Sequence, residues 1–377
     1  MNSIKSRLFL LMFWVTSWTL HTPAQSVMNP DISAIPRFRI ESSDGADLPA
    51  RRVFSRPVFS LEEFELALQA YLNPYARADI FLAKAGVGDE PIELEEVYAT
   101  ILRGLPLDLN VRVGKYLAEY GKLNMLHPHA WPFLSKPLAL ERFLGEEGLN
   151  DLGISVSYVI PTGDLLYTRL TADILKGETI AKLDPSSGNL SGGPGLIDTV
   201  AHQATYANSL RLMVFIPVSD NSDLEIGLSG LTGVHDPYRK YRFYYANLDF
   251  KYKWKPNAYT SFVLQGEGLL NNRTINDGTV NGKRLTTGGF YIYGDYQFHK
   301  VFSLGARYDW SESPYASDEK AQAVAAFFGF YPVEETTAIR LQYQHTRTEA
   351  PIANALSINT ISLQLVFSLG PHKAHPF

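Results

Sequence analysis

From Thr360 to Gly370 the chain reads T-I-S-L-Q-L-V-F-S-L-G. Ile361, Leu363, Leu365, Phe367 and Leu369 fall on one side, and Thr360, Ser362, Gln364 and Ser368 on the other. A period of two is a β-strand with one apolar and one polar face. The pattern recurs upstream. In 240–254, Tyr244, Ala246, Leu248, Phe250, Tyr252 and Trp254 oppose Tyr245, Asn247, Asp249, Lys251 and Lys253. In 300–310, Phe302, Leu304, Ala306, Tyr308 and Trp310 oppose Ser303, Gly305, Arg307 and Asp309. Apolar residues sustained on one face of successive long strands, with charge on the other, suit lipid outside and water inside. The expected fold class is therefore all-β, an antiparallel transmembrane β-barrel of the bacterial outer membrane.

The N-terminus supports export. Lys5 and Arg7 precede an apolar run from Leu8 to about Leu20, and Thr22-Pro-Ala24 offers small residues for cleavage before Gln25. These are the three parts of a secretory signal peptide, assigned to residues 1–24. The run is shorter than the ~20 residues a spanning helix needs. Cysteine is absent, which excludes a lipoprotein anchor, disulfides and cysteine-ligated metals. The mean hydropathy of −0.10 looks soluble, as expected when only alternate residues face lipid. Tyrosine (21) and phenylalanine (21) are abundant enough to furnish aromatic girdles. Without residues 1–24 the 34 basic residues fall by two to 32 against 39 acidic ones, a net of −7, which offers nothing to nucleic acid.

Residues 25–75 read as a periplasmic or plug-like lead, because Pro30, Pro36, Pro49 and Pro57 interrupt them. Within it, 59–72 fits either a strand or a helix. Residues 76–377 read as the barrel. Strands are predicted at 76–86, 91–103, 107–122, 151–161, 164–174, 204–217, 222–234, 240–254, 257–270, 285–298, 300–312, 319–331, 336–348 and 356–369. Tight turns such as Lys255-Pro-Asn257 and Phe298-His-Lys300 alternate with longer loops at 123–150, 175–203, 271–284 and 349–355. Fourteen strands are favoured and sixteen are the alternative.

The stretch R-V-G-K-Y-L-A-E-Y-G-K-L-N (112–124) resembles a strand of the phosphate-selective porin O and P family, through Gly114-Lys115-Tyr116 and Tyr120-Gly121. H-P-H-A-W-P-F (127–133), R-F-L-G-E-E-G-L-N-D-L-G (142–153) and F-S-L-G-P-H-K-A-H-P-F (367–377) resemble a group of uncharacterised outer-membrane porin-like proteins. The resemblance implies a passive channel for small polar or charged solutes, anions such as phosphate among them. A homotrimer is the usual assembly of such porins. The terminal Phe377 resembles the sorting signal read by the barrel assembly machinery, and outer-membrane lipid is the surrounding partner.

On the predicted inner face lie Arg112, Lys115, Arg169, Arg211, Asp249, Lys251, Glu267, Asp295, Arg307, Asp309 and Arg340. Opposed charges there would set a transverse field on passing solutes; the alternative is that they pair and fill a closed lumen. Arg112 and Lys115 have opposite parity, so both face inward only across a bulge, expected at Gly114. Loop 123–150 is stiff and aromatic, and is expected to fold inward and narrow the lumen with Trp131 and Phe133, placing Lys122, Lys136 and Arg142 near the mouth. The alternative is an outward loop packed on a neighbouring subunit.

His127 and His129 share a face of an extended segment and are the candidate metal ligands, although two loop histidines are more often hydrogen-bonded structural groups. No cofactor is expected. G-x-S-x-G, H-E-x-x-H and phosphate-loop motifs are missing, so an enzyme is not expected. Ser191–Gly195 lacks a following lysine and reads as a flexible loop. A metal or ligand receptor and a barrel enzyme remain the other function classes.

Overall fold

A computed structural model describes residues 30–44, 54–163, 165–183, 206–236, 239–276, 282–333, 336–350 and 353–370. The signal peptide, most of loop 175–203, His202 and Phe377 lie outside them. Among the described residues sixteen strands form one closed antiparallel barrel in which sequence neighbours are spatial neighbours. They are β1 (Asp31–Ser43), β2 (Val58–Asn73), β3 (Ala76–Lys84), β4 (Glu93–Ile101), β5 (Asn110–Leu117), β6 (Asn150–Ile160), β7 (Tyr167–Leu175) and β8 (Tyr206–Ser219). There follow β9 (Ser222–Asp236), β10 (Tyr241–Trp254), β11 (Ser261–Ile275), β12 (Lys283–His299), β13 (Phe302–Ser313), β14 (Ala316–Val333), β15 (Thr337–Ala350) and β16 (Ala353–Phe367).

The fourteen predicted strands correspond in order to β3–β16. The count of sixteen, not fourteen, holds because the segment read as a lead supplies β1 and β2. The barrel thus begins at Asp31, and the ambiguous 59–72 is strand. The seam runs from Arg37 opposite Val366 to Ser43 opposite Thr360. At its end Asn359 donates through its backbone N–H and its amide to the Asp44 carboxylate, at 2.6 and 2.5 Å.

Polarity is inverted relative to a soluble protein. Leu248, Leu228, Leu270, Leu304 and Val324 are more than half exposed on the outer surface, whereas Arg211, Asp249, Glu267, Arg307 and Asp309 are at most 2 % exposed inside. Only a solvent apolar outside and a filled, polar interior make that arrangement favourable.

One connection dominates the interior. Between β5 and β6, residues 118–149 turn into the barrel rather than away from it. They carry a 3-10 turn, Pro128–Ala130, and a helix, α1 (Leu138–Leu144). Pro128 suits the first position of the turn, where its missing N–H is not needed, and Pro137 precedes α1. A second short helix, α2 (Glu178–Lys182), follows β7.

Candidate functional site: the inserted loop and the lumen

The loop is inserted by its aromatic and aliphatic residues. Phe133, Leu140, Phe143 and Leu144 are at most 1 % exposed and pack with Tyr245, Tyr291, Tyr293 and Phe327 of the inner wall. Phe133 meets Tyr293 and Phe327 edge-on at 5.2 and 5.9 Å, and Phe143 meets Tyr245 at 5.8 Å. Edge-to-face pairs add to the burial each ring contributes. Sixteen strands enclose more volume than wall side chains alone fill. The loop occupies the part bounded by β10–β14, which forms an apolar core inside the barrel.

The inner charges then fix the loop and tie the wall. Glu267 accepts from the Leu123 N–H at 2.7 Å, from Tyr291 at 2.6 Å and from Asn247 at 3.1 Å. Arg307 donates to the Ser135 carbonyl at 2.6 Å, lies 4.2 Å over the Phe133 ring and pairs with Asp309 at 2.8 Å. Arg340 donates to the His129 carbonyl at 3.0 Å. Lys122 reaches Glu225 at 2.7 Å, and Arg169 reaches Glu119 at 3.0 Å. Arg211 grips Asp249 with two hydrogen bonds of 2.5 and 2.9 Å. Trp131 donates to the Leu126 carbonyl at 3.1 Å, and Arg142 stands 3.6 Å from Glu319. Lys251 and Asp295 are half-buried on the walls of β10 and β12. Arg211, Glu267, Arg307 and Arg340 are tolerated in the interior because partners match their charges and hydrogen-bonding groups.

Arg112 lies over Tyr98 and Tyr116 at 4.8 and 5.4 Å. Lys115 reaches the Leu94 carbonyl at 2.7 Å and the mouth of the barrel. The bulge expected at Gly114 is not there: pairing is regular on both sides of it. Gly114 instead adopts φ +141°, and a side chain would put a Cβ 2.1 Å from the Val97 carbonyl. Gly121 is similarly constrained, at φ +68° with the Glu267 carboxylate 2.1 Å from the place of a Cβ. Gly114 therefore permits the close approach of β5 to β4, and Gly121 the entry of the loop. Gly121→Ala should destabilise the folded barrel by about 1–2 kcal/mol from the backbone alone, read as a lower urea midpoint for loss of the compact gel band. An unchanged midpoint would contradict this geometry.

The sequence reading missed the wall that faces the loop across the remaining space. In β2 the register slips so that Arg37 opposes Glu63 and Phe38 opposes Leu61, leaving Glu62 as an extra residue. In the pairing of β3 with β4, Phe81 opposes Glu96 and Leu82 opposes Leu94, leaving Glu95 extra. A bulge breaks the alternation, so consecutive acids both point inward. Arg39 pairs with Glu62 at 2.5 Å and Arg37 with Glu63 at 3.2 Å. Glu95 and Glu96 both reach His127, at 3.5 and 2.8 Å. The signal was the run of acids at 62–65 and 93–96, which a strict period of two cannot place on one face.

Two cavities enter from opposite ends. One, of about 490 Å³, opens beside the ends of β3–β5 and is lined by Glu62, Glu95, Lys136, Pro128 and Trp131 among others. The other, of about 230 Å³, opens beside the turn joining β14 and β15 and is lined by Ile35, His129, Ala130 and Arg340. The turn 128–131 separates them: Pro128 and Trp131 line the larger, His129 and Ala130 the smaller. His127 is raised well above the usual histidine range: burial opposes its charge, but Glu65, Glu95 and Glu96 around it outweigh burial.

These features define a transmembrane barrel of the bacterial outer membrane with a loop folded into its lumen. In line with that, the fold is similar to the anion-selective porin from Comamonas acidovorans (TM-score 0.57, 10 % identity, 90 % of this chain and 99 % of that one). It is also similar to the outer-membrane channel DcaP of Acinetobacter baumannii (0.58, 11 %, 91 % and 99 %). The trimer form of OmpT of Vibrio cholerae has the same architecture (0.54, 9 %, 90 % and 100 %). In sequence, an uncharacterized protein of Aquifex aeolicus (strain VF5) is 27 % identical over 349 residues, covering 85 % of this chain and 70 % of that one. No protein-family model matches the chain.

Proposed function

We propose that the protein is an outer-membrane channel that passes small polar or charged solutes down their gradient, and that its mouth favours cations. The observation that carries this reading is the pair of cavities meeting from opposite ends at one turn of the inserted loop. Solutes cross by small displacements of residues 128–131 against the β1–β4 wall. The larger cavity is lined by seven carboxylates against four basic side chains. A low-dielectric wall focuses that excess and concentrates cations at the mouth, which disfavours the phosphate reading of the local motif. A homotrimer is the assembly we infer by analogy with OmpT, described in trimer form.

Planar-bilayer conductance with a reversal potential under a salt gradient tests this. Discrete steps with a cation-selective potential are expected; an assembled barrel that never conducts would overturn it. Lys136 supplies a pH dependence. Burial pushes its ammonium down to about 8, against the attraction of Glu141, Glu146, Glu147 and Glu267. Raising the pH from 7 to 9 therefore removes one positive charge and should shift the reversal potential further towards cations. Lys136→Met should show the shifted value already at pH 7 and lose that step. Between pH 8 and the ordinary lysine value the unfolded chain binds the additional proton, so this group favours folding increasingly as pH rises through that window.

A further inference from the structure

The inner wall and the inserted loop bring three donor atoms, from Glu65, Glu95 and His127, within 4.8 Å of one another, with His129 beside Glu65. His127 Nδ1 lies 3.1 Å from Glu65 Oε2 and 3.5 Å from Glu95 Oε2, and His129 Nδ1 lies 3.4 Å from the same Glu65 oxygen. Glu65 is 2 % exposed. Its Oε2, Glu95 Oε2 and His127 Nδ1 are buried and make no hydrogen bond, although buried polar atoms nearly always do. The other nitrogen of His127, Nε2, is 2.8 Å from Glu96 Oε1. An ion that displaces the proton from Nδ1 would find that nitrogen aimed between Glu65 and Glu95, while Glu96 keeps the proton on Nε2. That is the arrangement by which a carboxylate orients a metal-ligating imidazole. Stacking of the His127 ring on Phe81, at 5.0 Å, fixes its plane.

The spacing suits an ion at the centre. Tetrahedral bonds of about 2.0–2.1 Å to nitrogen and oxygen separate neighbouring ligands by roughly 3.3 Å. The separations of His127 Nδ1 from the Glu65 and Glu95 oxygens, 3.1 and 3.5 Å, bracket that value. One imidazole with two carboxylates forms a borderline nitrogen and oxygen set, which suits Zn²⁺ and its first-row neighbours better than the all-oxygen cages of Ca²⁺ or Mg²⁺.

We propose that Glu65, Glu95 and His127 form a lumenal site for one divalent transition-metal cation, Zn²⁺ foremost, with Glu96 as the orienting partner of His127 and a fourth position open. The site joins β2 and β4 to the loop just where the turn 128–131 divides the two cavities. It stands independently of conduction, since an occluded barrel would bind the ion equally.

The test is a Zn²⁺ titration of the refolded full-length barrel in detergent, in competition with a chromogenic chelator. One ion per chain is expected. Glu65→Gln and His127→Ala should each weaken binding by about a hundredfold or more, and Glu96→Gln by about 10–100-fold, as other orienting partners do. Glu62→Gln, on the same wall but outside the cluster, should bind as the unaltered protein does. Co²⁺ bound to the unaltered barrel should show the visible bands of a tetrahedral nitrogen and oxygen site and lose them to one equivalent of Zn²⁺. That readout stands even where a variant fails to assemble. Absence of stoichiometric Zn²⁺ uptake, an octahedral Co²⁺ spectrum, or unchanged affinity in assembled Glu65→Gln and His127→Ala would overturn the proposal. The cluster would then be a buried imidazolium held by carboxylates.

Discussion

Excising residues 119–148 and rejoining the chain through a short glycine-serine turn should raise single-channel conductance several-fold while leaving an assembled barrel. The loop leaves and re-enters the wall at one place: Leu117 opposes Asn150, and Ala118 donates to the Leu149 carbonyl at 2.9 Å. Its removal therefore costs no strand pairing. What it takes away is the apolar cluster around Phe133, Leu140 and Phe143 that fills the β10–β14 side of the lumen. Sixteen strands without a filler enclose an aqueous channel. Tyr245, Tyr291 and Tyr293 would then face water, and their hydroxyls make that tolerable. Conductance is measured in planar bilayers beside the intact protein. An equal conductance would mean that solutes do not pass the loop at all.

Leu248→Arg should destabilise the barrel by about 2–4 kcal/mol, the cost of a guanidinium at the bilayer midplane on the lipid face. Leu248 is the right probe because it lies mid-strand in β10, is 59 % exposed and is flanked by β9 and β11 over the full strand length. Its neighbour Asp249, at 0 % exposed, points the other way and is held by Arg211. The contrast between adjacent residues is the physical content of the fold assignment. Urea titration in lipid vesicles, read by heat-modified gel mobility, gives the value. A midpoint unchanged from the parent would place Leu248 away from lipid and reverse the faces of β10.

The fourteen strands from Ala76 onward were legible because an apolar and polar alternation runs along most of them, although a bulge at Glu95 interrupts β4. For loop 123–150, aromatic rings in a proline-stiffened segment pointed to an apolar place inside; the connection in fact begins at 118, where the strand expected to reach 122 has already ended. β1 and β2 were not legible, for local reasons. Pro36 stands within β1, where a proline usually speaks against a strand. Glu62 adds a residue to β2, so no single period fits its whole length. The same irregularity hid the carboxylates. Glu65, Glu95 and Glu96 are remote from His127 in sequence and reach it only through barrel closure and a bulge. Parity places Glu267 on the inner face, but it does not show that three donors from two strands and the loop converge on its carboxylate.

The seam between β1 and β16 has a kinetic meaning. Every other strand pairs with its neighbour in the chain, so those contacts form by zippering over short distances. The β1–β16 contact alone joins the two ends; Asp44 and Asn359 are 315 residues apart. Closing so long a loop costs entropy that no earlier hairpin repays. Until β16 arrives, β1 and β15 both present bare edges, ready to pair with whatever strand is at hand. The ring is thus an all-or-nothing object in time as well as in space. A lesion in either end strand leaves not a weaker barrel but an open, adhesive sheet.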